Sequence, residues 1–273
     1  MAGGTGFGRI MAWNDFTAIP PISAADTVPL VNGSLLGGGW SLHGVAEGTT
    51  IATVDEPGGI LACTTDVADE DSIAVSAGVW KPADGGMEFE CRVKIPTSVA
   101  TTRAAMWVGF TETLSVAAPI MPYQVITSTA TYNGTGGMVG FAFDSDATSI
   151  TWRFIAGDGG AALATINSND SPKTSGTVGT DIGIDAQATI TADRWWVFRV
   201  EVQPDGQAAG YILDDAAENN TNKELRFVGR TTAALGTGDN FHATIIGETR
   251  SAFNEEFEID YAYASGRRDW SAD

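Results

Sequence analysis

The sequence predicts an all-β chain: one antiparallel sandwich of two sheets behind an extended N-terminal arm. Three observations lead there. No 12-residue window concentrates Ala, Glu, Lys and Leu at a helical period. Short runs of β-branched and aromatic residues recur instead, each bounded by Gly, Pro, Asp or Asn. The clearest unit is Arg194–Asp215, RWWVFRVEVQPDGQAAGYILDD. Trp196, Phe198, Val200 and Val202 alternate with Trp195, Val197, Arg199 and Glu201. Pro204-Asp205-Gly206 supplies the turn, and Ala209, Tyr211 and Leu213 continue on the return strand. This is a hairpin with one buried face.

Residues 1–50 read as an arm or wrapping segment, because Gly-rich stretches and Pro20-Pro21 disfavour helix and central strand alike. Its aromatics, Trp13, Phe16 and Trp40, are expected to pack on the chain's own sandwich or on a neighbour, and with Trp195 they are the candidate assembly contacts. Residues 51–273 are expected to form the sandwich. The predicted strands cover 59–64, 72–76, 87–95, 105–111, 138–144, 149–156, 188–190, 195–203, 208–213, 242–249 and 257–265. About ten strands at this spacing imply a sandwich or barrel. Residues 112–137 and 157–187 are mostly irregular, and loops of that length usually serve function or assembly.

Composition narrows the function. The 273 residues carry 34 acidic against 15 basic side chains, a formal charge of −19. That field repels phosphate backbones and argues against nucleic acid partners. It suits a protein that resists aggregation or docks on a basic surface. No stretch reaches the ~20 apolar residues of a membrane span. No apolar run follows Arg9, so no signal peptide is expected. Cys91 shares a face with Met87, Phe89, Val93 and Ile95, the pattern of a small buried hydrophobe. The spacing leaves open whether it pairs with Cys63.

Few residues are arranged for chemistry. His43 and His242 are the only histidines, and neither has a sequence context that pairs it with a nucleophile. Zinc needs more His or Cys ligands than the chain spaces suitably. The best acidic constellation is Asn254–Arg267, where alternation puts Glu256, Glu258 and Asp260 on one face and Phe257, Ile259 and Tyr261 on the other. Paired carboxylates on a sheet face can hydrolyse glycosides. The E-x-D-x-E pattern of jelly-roll glycosidases fails here, because position 262 is Ala. Asp144, Asp146, Asp158, Asn167, Asn169 and Asp170 offer oxygen to calcium, yet match no calcium-loop spacing. No cofactor is expected. Trp80, Trp107, Trp152, Trp195, Trp196 and Trp270 are of the type that stacks on sugars, and alternation turns only Trp195 outward.

Several segments stand in an informative order: AWNDF, GGGWSL, GGILACTTD, MEFECRVKIP, MWVGFTET, RWWVFRVEVQPDGQAAGYILD and FEIDYAYASGRRDW. Over residues 10 to 270 this order resembles the concanavalin A-like, laminin-G-like jelly roll. More narrowly, it is similar to virion structural proteins of tailed bacteriophages that carry this fold. The resemblance implies a non-enzymatic capsid decoration (cement) protein at the virion surface. Its partners would be itself, as a homo-oligomer with a trimer favoured, and the major capsid protein. The alternatives are a tail-fibre or receptor-binding module for a host glycan, and a hydrolase using Glu256, Glu258 and Asp260.

Overall fold

The computed structural model describes residues 8–16, 34–44, 50–54, 59–95, 103–115, 119–126, 129–132, 136–147, 150–158, 166–167, 172–173, 184–190, 192–215, 224–231 and 235–268. In chain order the first ten strands are β1 (Gly8–Asn14), β2 (Ser34–Gly37), β3 (Trp40–His43), β4 (Thr50–Val54), β5 (Ile60–Thr64), β6 (Ser72–Trp80), β7 (Met87–Lys94), β8 (Ala104–Thr111), β9 (Tyr123–Ile126) and β10 (Thr129–Tyr132). The rest are β11 (Gly137–Asp144), β12 (Thr151–Asp158), β13 (Ile166–Asn167), β14 (Pro172–Lys173), β15 (Ile184–Thr189), β16 (Trp195–Val202), β17 (Ala208–Asp214), β18 (Arg226–Thr231), β19 (Phe241–Thr249) and β20 (Glu256–Arg268).

Ten strands form sheet A, in the order β14-β13-β18-β17-β16-β7-β20-β5-β4, with β1 also paired to β20. Eight form sheet B, in the order β15-β12-β11-β8-β19-β6-β3-β2. All these pairings are antiparallel. The fold is a two-sheet jelly-roll sandwich, as the sequence predicts.

The sequence dictates the two sheets differently. On β7, MEFECRVK, buried and half-buried residues alternate along the whole strand, so sheet A packs on one face. On β8 and β11, AAMWVGFT and GMVGFAFD, every residue is buried. Val108, Phe110, Val139 and Phe141 join the core between the sheets. Ala105, Trp107, Met138 and Ala142 join a second apolar cluster on the far face of sheet B, with Met121 and Tyr123 from the segment leading into β9. The β9–β10 hairpin is a separate two-stranded sheet.

Between the sheets the core is aromatic. Phe198 lies 4.4 Å from Trp152 and 5.1 Å from Phe141, and Phe89 lies 5.9 Å from Phe110. Gly210 of sheet A leaves room for the Phe154 ring, which a Cβ there would strike.

The N-terminal expectation needs correction. The described parts of residues 1–50 are not a separate arm but strands of both sheets: β1 in sheet A, β2 and β3 in sheet B. Phe16 and Trp40 are 1% and 0% exposed within the chain's own core, so they are not contacts to a neighbour. Asn14 fixes this corner. Its amide donates to the Leu36 carbonyl (2.8 Å), while its Oδ1 accepts the Phe16 N–H (2.7 Å). Of the two long loops, the described parts include β9 and β10 in the first and β13, β14 and part of β15 in the second. Cys63 and Cys91 are buried free thiols, which burial pushes well above the usual range.

Phe198→Ala is expected to cost about 3–5 kcal/mol, read as a lower urea midpoint at unchanged m-value. Gly140→Ala should also destabilise, because its Cβ would meet the backbone carbonyl of Val108 on a neighbouring strand.

Candidate functional site: the outer face of sheet A

Strand register lays out the outward face of sheet A in rows. One row runs Trp13, Tyr263, Glu90, Arg199, Tyr211, Phe227 across β1, β20, β7, β16, β17 and β18. The row on one side begins Tyr261, Arg92, Val197, Leu213, and the row on the other begins Met11, Ser265, Glu88, Glu201. Alternation on β7 and β16 makes this face, and it follows the predicted phase: Trp196, Phe198, Val200 and Val202 are buried beneath it.

On β20 the predicted phase fails at one residue. Ile259 stands opposite Val93, but Tyr261 stands opposite Arg92, so Asp260 is an extra residue in the ladder. Such a bulge shifts the alternation by one. Tyr261 and Tyr263 therefore join the carboxylates on the outward face, where simple alternation puts Tyr261 inside.

The charges on this face are matched to one another. Arg92 donates to Asp260 and Asp215, both at 2.7 Å, and its guanidinium lies over the Trp195 ring at 4.4 Å. Lys94 pairs with Glu258 (3.0 Å) and Asp193 (3.2 Å). Arg199 reaches Glu88 and Glu201, each at 2.8 Å, and Glu90 at 3.8 Å. The Tyr261 hydroxyl donates to Glu90 (2.8 Å), and burial and that carboxylate push its ionisation up. Thr64 donates to Glu256 (3.3 Å). The three carboxylates proposed for hydrolysis thus lie on this face, two held in ion pairs and one hydrogen-bonded.

Exposure concentrates at one side of the face. Met11 is 63% and Trp13 53% exposed. The Trp13 ring stacks on Tyr261 at 5.5 Å and 20° and leans on Tyr263 at 6.2 Å. Trp195 is half-buried under Arg92. Trp80, Trp107, Trp152 and Trp196 are core residues, and Trp270 lies outside the described residues. At one end of the face an open cleft of about 370 Å³ is lined by Gly85, Gly86, Glu88, Glu201, Pro204 and Arg267.

The far face of sheet B holds two arrangements hidden from the sequence. Ser76 Oγ lies 2.7 Å from His43 Nε2, a contact joining β6 to β3. Nucleophile and base meet there, but no hydrogen-bond partner among the described residues reaches Nδ1 to orient the ring, and both residues are buried. Burial, then the charge of His242, holds the His43 ring below its ordinary value, so it is neutral at pH 7. The second arrangement is a buried charge cluster. Arg250 grips Asp144 through two nitrogens (3.1 and 2.7 Å) and also pairs with Glu248. Asp144 oxygens are thus engaged by Arg250, and one accepts the Asp146 N–H. No group of three His, Cys, Asp or Glu suited to a metal occurs among the described residues, which exclude Asn169 and Asp170.

No protein-family model matches the chain, and no curated protein matches it. Solved structures do. A protein of unknown function from Shewanella oneidensis MR-1 superposes with a TM-score of 0.55 at 12% identity, over 97% of this chain and 89% of that one. The fold is therefore shared well beyond recognisable sequence. Peanut lectin solved with a nine-residue peptide gives 0.49 at 8% identity, over 95% and 98%. The CBM2 module of an evolved Dit protein from Lactobacillus casei BL23 phage J-1 gives 0.49 at 10%, over 97% and 98%.

Burial sorts the ion pairs by consequence. Arg250→Met strands two buried carboxylates and should cost about 3–5 kcal/mol. Arg92→Met, on the half-exposed face, should cost about 1 kcal/mol or less; urea titrations of both variants check the contrast. Burial also raises Glu248 and Glu255 to about 7 from 4.5. Between those values the folded state keeps protons that the unfolded state has lost. These two sites should therefore lower stability as pH climbs from about 4.5 to 7, and Glu255→Gln should flatten that slope in urea titrations.

Proposed function

We propose that this chain is a non-enzymatic structural protein of a phage virion, a capsid decoration protein that docks through the outer face of sheet A. The observation that carries the proposal is the Trp13–Tyr261–Tyr263 cluster, with exposed Met11 beside it, on a sheet where Arg92, Lys94 and Arg199 are already paired. Arg92, Lys94, Arg199, Arg230 and Arg267 stand on this face, in a chain with 15 basic against 34 acidic residues. Arg92, Lys94 and Arg199 pair with carboxylates of this face, which lessens the like-charge repulsion those carboxylates would raise against another acidic surface. Burying a large apolar side chain contributes about 1.5–3 kcal/mol per contact, and a lattice multiplies it by avidity.

The same features count against catalysis. Glu258 and Asp260 are held by Lys94 and Arg92. On the far face of sheet B, Met121 and Tyr123 pack over Trp107, Met138 and Ile246. The partners proposed are further copies, as a trimer, and the major capsid protein, at the virion surface.

A second reading rests on the Trp13–Tyr261 stack, which also suits the ring face of a sugar. In it the protein is a tail module that recognises a host glycan. Glycan arrays with and without calcium test it: binding that Trp13→Ala removes would favour the tail module.

For the decoration protein, mass spectrometry of purified particles should give a copy number on the order of hundreds. A few copies per particle would overturn it. Trp13→Glu should weaken capsid or self-association about tenfold or more while leaving the melting temperature within a few degrees. Unchanged association would remove this face as the docking surface.

A further inference from the structure

The β9–β10 hairpin stands apart in the architecture, because it pairs with neither large sheet. Residues 119–122, which lead into it, and the start of β9 cross the far face of sheet B. Beneath them lies an apolar floor of Trp107, Met138, Ala142, Ile155 and Ile246, on which Met121 and Tyr123 sit. A segment outside the main ladders opens at lower cost than the sheets themselves.

Among the described residues, three hydrogen bonds tie this segment to Ser72 and Glu248. The Ser72 hydroxyl donates to the Pro119 carbonyl. The other two converge on a single carboxylate: the Met121 N–H (3.3 Å) and the Gln124 side-chain amide (2.8 Å) both donate to Glu248. Glu248 is 2% exposed and sits within a cluster of charge. Arg250 pairs with it from the end of β19, and Asp144 and Asp146 face that guanidinium from the end of β11. Arg153 on β12 acts on Tyr123 in the strap, and Glu255 and Glu248 line one small internal space with Thr65 and Gly247. Arg103 acts on Glu255 from beside β8.

We propose that residues 119–126 form a strap over an apolar floor on sheet B, latched by the buried Glu248 carboxylate, and that the latch loosens as Glu248 becomes ionised. The sign follows from exposure. With the strap closed, Arg250 and the two strap donors favour the Glu248 anion, but its exclusion from water outweighs them and favours the neutral acid. With the strap open, water reaches the carboxyl group and ionisation is easy. The closed form therefore binds the proton more tightly, and rising pH shifts the balance towards the open form. The neutral acid still accepts a hydrogen bond from the strap, and Arg250 keeps Asp144 as its partner.

Amide hydrogen exchange on the full chain tests the latch. After correction for intrinsic rates, the opening constant of amides in residues 119–126 should rise about tenfold or more between pH 5 and pH 8. Amides of β7 and β16 should not follow. Glu248→Gln, neutral at both pH values, should remove the dependence and keep the strap protected at pH 8, whereas Glu255→Gln should leave the dependence in place. A pH-independent opening constant in the unaltered protein would overturn the proposal, and that measurement stands even if Glu248→Gln fails to fold. A dependence that persists in a folded Glu248→Gln protein would overturn it equally.

Discussion

The aromatic layer between the two sheets is the interaction on which the rest of this molecule depends. Phe89 and Phe198 from sheet A meet Phe110, Phe141 and Trp152 from sheet B, ring against ring. These side chains fix the spacing of the sheets, and the spacing fixes which face of each strand remains. Sheet A keeps an outward face of charged and aromatic residues. Sheet B does not: its central strands are apolar on both sides, so the chain must supply a second cover.

That asymmetry separates scaffold from surface. On sheet A, strand alternation and the bulge at Asp260 bring side chains from six strands into registered rows. A site built in this way is stiff, and its ion pairs contribute more to pattern than to stability, because half-exposed pairs yield little net free energy. On sheet B the opposite holds. Asp144, Glu248 and Arg250 are all nearly inaccessible to water, and each is tolerable only while the others are present. The two charge networks use the same residue types and answer to different physics.

Much of the architecture was legible in the sequence because alternation is a local property. The 194–215 hairpin, β7, β19 and the start of β20 follow from which neighbours are apolar. What was not legible depended on distant partners. β1 looks like a glycine-rich arm until β20 pairs with it, and Phe16 and Trp40 look like free aromatics until the Asn14 corner folds them inward. Asp260 gives no sign in the sequence that it is an extra residue, so the outward turn of Tyr261 and Tyr263 was missed. The candidate face was half visible through Trp13 and Trp195. The Glu248 cluster, assembled from residues more than a hundred positions apart, leaves no sequence pattern.

Strand β20 serves two partners on one edge. Its first part pairs with β5 and its later part with β1, so the earliest described strand takes its place beside the last. During synthesis β1 emerges roughly 250 residues ahead of the strand that completes its ladder. It must wait until β20 has left the ribosome before Trp13 can stack on Tyr261. The sandwich therefore closes as a late, long-range event, and among the described strands the one that waits longest carries the exposed Trp13.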